Sequence, residues 1–226
     1  MLDPASKRLS AAASPHPFAN ERSAPWPLSG NAAVPRGERV RGRPVTPRRR
    51  RHSSRFNIEG EVAFITGGSR GIGYMMARDD VETGARVYVA ASIGERCGAA
   101  AVELSVYGER HALPADLATF DAIDDAAVRL AEREDSLHIR VNNDGTGWGE
   151  SIARFPAKGR DKVVALNLES PFFLLQRLLP LLVNAARTDA PEQVINLVSV
   201  DSMHLPPCGN CSYAVVSVSC CRWTAD

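Results

Sequence analysis

At 226 residues the chain is long enough for one domain with an ample core, or for one domain plus a tail. Its net charge of +1 hides two segments of opposite character, because residues 1–55 hold 12 Lys and Arg against three Asp and Glu, whereas the remainder holds 15 against 23. The five cysteines, an odd number, argue against a disulfide framework, and the longest apolar run, Pro171 to Val183, is too short to span a bilayer.

Residues 1–55 are predicted to form a disordered, basic leader rich in Pro and Arg. They contain eight of the 15 prolines and few large apolar residues, so they cannot bury enough surface to offset the entropy of ordering. The run Arg48–Arg51 is of a kind that binds nucleic acid or serves as a mitochondrial address, but the prolines oppose the amphipathic helix of a transit peptide. We favour a solvated tail without a nucleic-acid or membrane partner. Residues 1–20 lack the apolar core of a secretory signal, which favours a cytoplasmic protein.

From Phe56 onward, strand-like and helix-like segments alternate. In chain order the predicted elements are strand Val62–Thr66, helix Ile72–Thr83, strand Arg86–Ala90, helix Glu95–Val106, strand His111–Ala115, helix Phe120–Arg133, strand Leu137–Asn142, a helix from Lys158 to about Asn184, and strand Gln193–Ser199. This alternation predicts an α/β fold with a doubly wound parallel sheet and helices on both faces. The last helix is apolar nearly all round, so it is either deeply buried or shared between subunits.

The stretch Thr66–Gly73 reads Thr-Gly-Gly-Ser-Arg-Gly-Ile-Gly and joins the first predicted strand to the first predicted helix. Its glycines allow a ligand to approach the backbone closely, and the helix N-terminus presents unpaired N–H groups that suit a phosphate. A tight strand-to-helix turn without a ligand is the alternative interpretation.

A second motif lies near the end of the chain, where Cys208 and Cys211 are preceded by His204 and followed by Cys220 and Cys221. The spacing superficially suggests zinc. A second ligand pair at suitable spacing is missing, so we predict no metal site.

Several positions together resemble the short-chain dehydrogenase/reductase family over residues 56–217. The matching segments, in chain order, are the glycine stretch 66–73, Ala115-Asp116-Leu117, Asn142-Asn143-Asp144-Gly145, Asn167, Ser199 and Ser212-Tyr213. In this resemblance Asp144 replaces an alanine of the family motif. More narrowly, the segments 73–78, 147–149, 170–174 and 199–202 resemble the 3-oxoacyl-[acyl-carrier-protein] reductases of the rhamnolipid-biosynthesis type and their fungal relatives.

The resemblance implies a Rossmann-like domain over residues 56–226 that transfers hydride between NADP(H) and a carbonyl or hydroxyl substrate, such as a 3-oxoacyl thioester. It implies that Tyr213 donates the proton, that Ser199 hydrogen-bonds the carbonyl oxygen and that Asn167 orients a water. The residues implied to bind the cofactor are Gly67, Ser69, Arg70, Gly71, Ile72, Gly73, Asp116, Leu117, Asn143 and Gly145. NADP is expected rather than NAD because no acid follows the second strand, where the chain reads Ala90-Ala91-Ser92, and because Arg70 lies in the loop.

The chain departs from the family at two places. Position 217, where the family has a lysine four residues after the catalytic tyrosine, is Ser217, and the chain stops at Asp226. We therefore expect a domain that is incomplete at its C-terminus, with strand Gln193–Ser199 as an apolar edge, a tendency to aggregate and little reductase activity. The alternative function is a catalytically impaired NADP-binding fragment. Family members form homo-oligomers through the long helix and the helix near Tyr213, and the second of these is shortened here.

Overall fold

The computed structural model describes residues 57–187, 192–199 and 213 of the chain. The predicted leader (1–55), the cysteine pair at 208 and 211, and position 217 lie outside the described residues.

Five strands among the described residues form one parallel sheet. They are β1 (Val62–Thr66), β2 (Arg86–Ala91), β3 (Arg110–Pro114), β4 (Ile139–Asn142) and β5 (Gln193–Asn196). Their order across the sheet is β3-β2-β1-β4-β5, so the chain moves outward from β1 in one direction and then returns to β4 on its other side. The carboxyl ends of β1 and β4 therefore border a topological switch point, the place where open α/β sheets bind ligands.

Helices cover both faces of this sheet. They are α1 (Gly71–Thr83), α2 (Gly94–Leu104), α3 (Phe120–Ala131) and α5 (Ser170–Ala185), and a further helix, α4 (Ala157–Val164), comes before α5. One apolar cluster joins α1 and α2 to the sheet through Ala77, Val81 and Leu104, and a second cluster joins α3 and α5 to the opposite face through Leu130 and Leu178. This arrangement confirms the predicted doubly wound α/β fold.

The element boundaries differ from the predicted ones by a few residues. The fourth strand begins at Ile139 rather than Leu137, because the Leu137 amide donates to the carbonyl of Leu181 in α5, at 2.9 Å, instead of to a strand. The fifth strand ends at Asn196, three residues before its predicted end, because its neighbour β4 ends at Asn142. Backbone pairing, which sequence periodicity does not specify, decides both ends.

The predicted long helix from Lys158 to Asn184 consists of α4, a π-helical segment (Ala165–Glu169) and α5. Only one face of α5 is buried. Leu174, Leu178 and Leu182 pack on the sheet, whereas Phe172, Leu179 and Val183 are 43%, 51% and 61% exposed. None of the helices in the described part of the chain is long and apolar enough to cross a membrane.

A fully buried arginine lies in the middle of β4. The Arg140 side chain enters the same side of the sheet as Phe64, its partner in β1. Its Nη2 donates to Asn142 Oδ1 at 2.6 Å and to the carbonyl of Pro171 at 2.9 Å, while Nε and Nη1 have no hydrogen-bond partner among the described residues. Burial lowers the pKa of Arg140 to about 9. The core therefore holds a charge that neighbouring groups only partly compensate.

Candidate functional site

The glycine stretch brings three backbone segments into close contact at the end of β1. Gly67 and Gly71 have positive φ angles of 64° and 57°, a conformation that glycine adopts without strain. A Cβ on Gly67 would lie 2.7 Å from Asn143 Nδ2, and a Cβ on Gly73 would overlap the same nitrogen and the Gly67 carbonyl. Glycine at these positions therefore allows α1 to begin directly against the loop that follows β4.

The N-terminus of α1 is open. Arg70 occupies the N-cap position with an extended backbone, no side chain caps the helix, and its first turn contains no acidic residue. A Cβ on Gly71 would meet no atom within 4 Å, so the space above this turn is free for a ligand. Unpaired N–H groups and the positive end of the helix dipole together favour an anion such as a phosphate.

Thr66 and Asn143 lock the two strand ends together. The backbone amides of Asn143 and Asp144 both donate to Thr66 Oγ1 at 3.0 Å, and Thr66 Oγ1 donates to the carbonyl of Val141 at 3.3 Å. The Asn143 amide group donates to the carbonyls of Thr66 and Gly67 at 3.0 and 3.2 Å. These bonds hold the glycine turn in a fixed position relative to the loop after β4.

An open cleft of about 360 Å³ lies over this turn. Its lining comes from the glycine stretch, the end of β2, the start of α2 and the loop after β4: Gly67, Ser69, Arg70, Gly71, Ile72, Ala91, Ser92, Ile93, Arg96, Asn143, Asp144 and Gly145. The cleft brings together most of the residues predicted to bind a cofactor. It also contains Arg96, which sequence reasoning missed. Arg96 lies in the first turn of α2 and supplies a second positive charge beside Arg70.

Three predicted cofactor residues lie outside this lining. Gly73 is buried beneath the turn, packed on Gly67. Asp116 is exposed after β3, and its Oδ1 accepts from the Ala118 amide at 3.3 Å. The Leu117 side chain is 1% exposed and belongs to the core beside α3, so only its backbone is available to a ligand.

A small inner pocket of about 50 Å³ adjoins the cleft. Its lining is dominated by side-chain amides and the predicted catalytic tyrosine: Asn142, Asn143, Asp144, Gly145, Asn167, Pro171, Asn196, Leu197, Val198 and Tyr213. Asn143, Asp144 and Gly145 line both the cleft and this pocket, so the two spaces meet at the loop after β4. Asn167 and Tyr213, two of the three predicted catalytic residues, lie around the same pocket. Ser199, the third, directly follows Val198.

Asn167 owes its position to the π-helical segment between α4 and α5. Its side chain is 9% exposed, accepts from the Thr146 amide at 2.9 Å and donates to the Thr146 carbonyl at 2.9 Å. A π-helical turn inserts one extra residue into a helix, and such turns are frequent at functional sites. Here the reciprocal bonds tie the loop after β4 to the helix that carries Asn167.

Asp144 is the charged group where the cleft and the inner pocket meet. Burial raises the pKa of its carboxyl above the usual value, and the nearby Asp116 raises it further. The Gly145 amide, which donates to Asp144 Oδ1 at 3.1 Å, and the Arg70 charge oppose this shift. Within the described ranges, no group of three or more His, Cys, Asp or Glu side chains is arranged to hold a metal ion.

The sheet is parallel, and at its switch point the first strand leads through a glycine turn to an open helix N-terminus. These features define the class of nucleotide-binding α/β domains. The family model of the short chain dehydrogenases matches residues 61–215, and the chain belongs to this family.

One curated relative and two solved structures show how far the similarity extends. The chain is 44% identical over 145 residues to the rhamnolipids biosynthesis 3-oxoacyl-[acyl-carrier-protein] reductase of Pseudomonas aeruginosa, covering 64% of this chain and 57% of the relative. It matches the structure of the Pseudomonas aeruginosa RhlG/NADP active-site complex with 40% identity and a TM-score of 0.70, over 73% of this chain and 64% of that chain. The structure of a metagenomic short-chain oxidoreductase in complex with NADP matches with 30% identity and a TM-score of 0.65, over 71% of this chain and 72% of that chain. The chain thus spans little more than half the length of the curated reductase.

Proposed function

We propose that the cleft binds NADP(H) and that the chain is an oxidoreductase acting on a carbonyl or hydroxyl substrate, with a 3-oxoacyl thioester as the substrate class. The observation that carries the proposal is that the cleft over the glycine stretch and the pocket around Asn167 and Tyr213 share Asn143, Asp144 and Gly145 in their linings. The NADP complexes of two similar structures and the reductase name of the relative support the cofactor and the substrate class.

The cleft suits the cofactor because glycine leaves room where a side chain would stand. The open space above Gly71 lies at the N-terminus of α1, where the backbone amides would hold the pyrophosphate. Arg70 and Arg96 would hold a 2′-phosphate, which a guanidinium recognises through paired hydrogen bonds. When bound, the nicotinamide nucleotide supplies the hydride.

The side chains of the inner pocket and of Ser199 would supply the proton and stabilise the negative charge that develops on the carbonyl oxygen. Tyr213 would donate a proton to the carbonyl oxygen, and Ser199 would hydrogen-bond that oxygen as negative charge develops. Asn167, held by Thr146, would orient a water in the small inner pocket. At about 50 Å³ the pocket has room for a water, which suits this role.

A second candidate is an NADP-binding chain that turns over poorly, and Ser217 at the position of the family lysine favours it. The first candidate predicts NADPH-dependent reduction of a 3-oxoacyl thioester by the purified chain, whereas the second predicts tight NADPH binding with no turnover. A cytoplasmic location is a further part of the proposal and rests on sequence reasoning.

The cofactor test is a fluorescence titration of the purified chain with NADPH and with NADH. We expect tighter binding of NADPH, and we expect Arg70→Ala and Arg96→Ala each to reduce that preference by about tenfold, the value of one charge-assisted contact. Arg160→Ala, which removes an exposed arginine paired with Asp161 on α4, is the matched control and should change nothing. Equal affinity for both cofactors would rule out the 2′-phosphate role.

A second titration tests the pyrophosphate position. Gly71→Val places a side chain in the open space above the helix N-terminus, and it should abolish binding of both cofactors. Gly60→Val controls for the strain of a side chain at a positive φ, because Gly60 has a φ of 83° and a Cβ there would likewise meet no atom within 4 Å. Full cofactor affinity in a folded Gly71→Val protein would contradict the proposed site.

A further inference from the structure

Asp144 lies at the junction between the cleft and the inner pocket, since it lines both. A dinucleotide that extends from the glycine turn towards Tyr213 must pass this junction. The pyrophosphate of such a cofactor would lie at the open N-terminus of α1, in the same cleft. A carboxylate that lines this cleft therefore faces a charge of its own sign.

The Asp144 backbone is held in place beside the glycine stretch. Its amide donates to Thr66 Oγ1 at 3.0 Å, and its Cα lies 3.0 Å from the place where a Cβ on Gly67 would stand. Its Oδ1 accepts from the Gly145 amide at 3.1 Å. None of the ion pairs found among the described residues includes Asp144.

The charged and titratable groups around this carboxyl come from every neighbouring segment. Arg70 from the glycine stretch attracts its negative charge and Asp116, after β3, repels it. Arg96 of α2 lines the cleft, and Tyr213 lines the inner pocket. Burial, and then Asp116, raise the pKa of this carboxyl in the free protein, and an added anionic ligand would raise the pKa further.

We propose that the cleft binds the dinucleotide only when the Asp144 side chain is in its neutral acid form. Binding therefore takes up a proton from solvent, and Asp144 selects for the charge state of the cleft. This inference rests on the proposed function of the cleft. One O–H bond forms between a carboxylate oxygen and a solvent proton, and no bond of the cofactor changes. The resulting O–H can donate to a phosphate or ribose oxygen, which the carboxylate cannot do.

Isothermal titration calorimetry measures this proton uptake directly. NADPH and NADH are titrated into the full chain in two buffers of equal pH and different ionisation enthalpy, between pH 5 and 8. We expect net proton uptake on binding of either cofactor within this range, and an affinity that falls as the pH rises. Asp144→Asn should abolish this uptake for both cofactors and bind about tenfold more tightly than the parent at pH 8, because one repulsion near the protein surface is removed. The two proteins should bind equally near pH 5.

Asp121→Asn, which removes an exposed carboxylate from the first turn of α3, is the control and should retain the uptake. NADH lacks the 2′-phosphate, so uptake seen with both cofactors excludes titration of that phosphate. Equal uptake by the parent and Asp144→Asn, or weaker binding by Asp144→Asn at pH 8, would overturn the inference while leaving cofactor binding intact. If no folded variant binds either cofactor, the proposed function itself fails, and the inference with it.

Discussion

The buried arginine of β4 is expected to lower the stability of the fold. Arg140 keeps its charge in the core near neutral pH, with only one of its three guanidinium nitrogens hydrogen-bonded among the described residues. Replacing a poorly compensated buried ion by an apolar residue of similar volume is often stabilising. We therefore expect Arg140→Leu to raise the free energy of unfolding by about 2 kcal/mol at pH 7, measured by urea denaturation.

The pH dependence of this effect has a definite sign. Because burial lowers the pKa of Arg140 to about 9 in the folded state, the folded protein releases a proton above that pH, which the unfolded chain retains. The parent therefore gains stability relative to Arg140→Leu as the pH rises from 9. Arg160→Leu, at an exposed site, should show no such trend. A large loss of stability in Arg140→Leu would instead mean that the bonds to Asn142 and Pro171 outweigh the cost of burial.

Asp80 in α1 is a second charge at an unfavourable place. Burial, and then the nearby charges of Asp79 and Glu61, raise its pKa to about 6. Below about pH 4 the folded and unfolded states are both protonated, whereas between pH 4 and 6 only the folded state holds the proton, so stability falls as pH rises. Asp80→Asn should therefore be more stable than the parent by roughly 2 kcal/mol at pH 7.5 and equal to it below pH 4.

Urea denaturation across this pH range checks the prediction for Asp80. Glu132→Gln, which changes an exposed carboxylate at the end of α3, is the control and should leave the pH profile unchanged. A constant difference between Asp80→Asn and the parent at every pH would show that the carboxyl is not the titrating group.

At the scale of elements, a buried carboxylate ties the end of α3 to β2. Glu134 accepts two hydrogen bonds from Arg86 Nη1, at 2.9 and 3.1 Å, and one from the Tyr88 hydroxyl at 2.6 Å. Glu134→Ala leaves both donors without this partner, so we expect a loss of about 3 kcal/mol in the free energy of unfolding. Glu134→Gln keeps an acceptor oxygen and should lose less.

Glu109, the second partner of Arg86, provides a matched comparison. Its ion pair with Arg86 is 2.7 Å long, but its side chain is 54% exposed. Exposed ion pairs contribute little, so Glu109→Gln should cost less than about 1 kcal/mol. Equal losses in Glu109→Gln and Glu134→Ala, measured in the same urea series, would refute a special role for the buried contact.

Sequence reasoning located the elements well but not the details that shape the site. Buried strands and a glycine turn have strong local patterns, so β1, α1 and the loop between them were predictable. No local pattern indicates that a helix contains a π-helical turn, which is what positions Asn167. Arg96 was missed because it reaches the cleft from the first turn of a helix. Arg140 was missed because a charged residue inside a strand is normally expected to face solvent.

At the scale of the whole molecule, the exposed face of α5 is the surface most suited to self-association. Phe172, Leu179 and Val183 are spaced seven and four residues apart, so they share one face of the helix. If copies of the chain associate there, Leu179→Glu should lower the molecular mass measured by light scattering to that of a monomer. Val102→Glu, at a 69% exposed apolar site on α2, should leave the mass unchanged. A monomeric parent protein would exclude this interface.

The packing of Gly159 against Trp148 gives the loop after β4 an observable of its own. A Cβ on Gly159 would lie 2.8 Å from two indole carbons, so one of its two Hα atoms points into the face of the ring. Ring current should move that proton far upfield in an NMR spectrum and separate it from its geminal partner. The chemical shift of this one proton therefore measures how well ordered the loop that carries Asp144 and Thr146 is. The measurement does not require the protein to turn over any substrate.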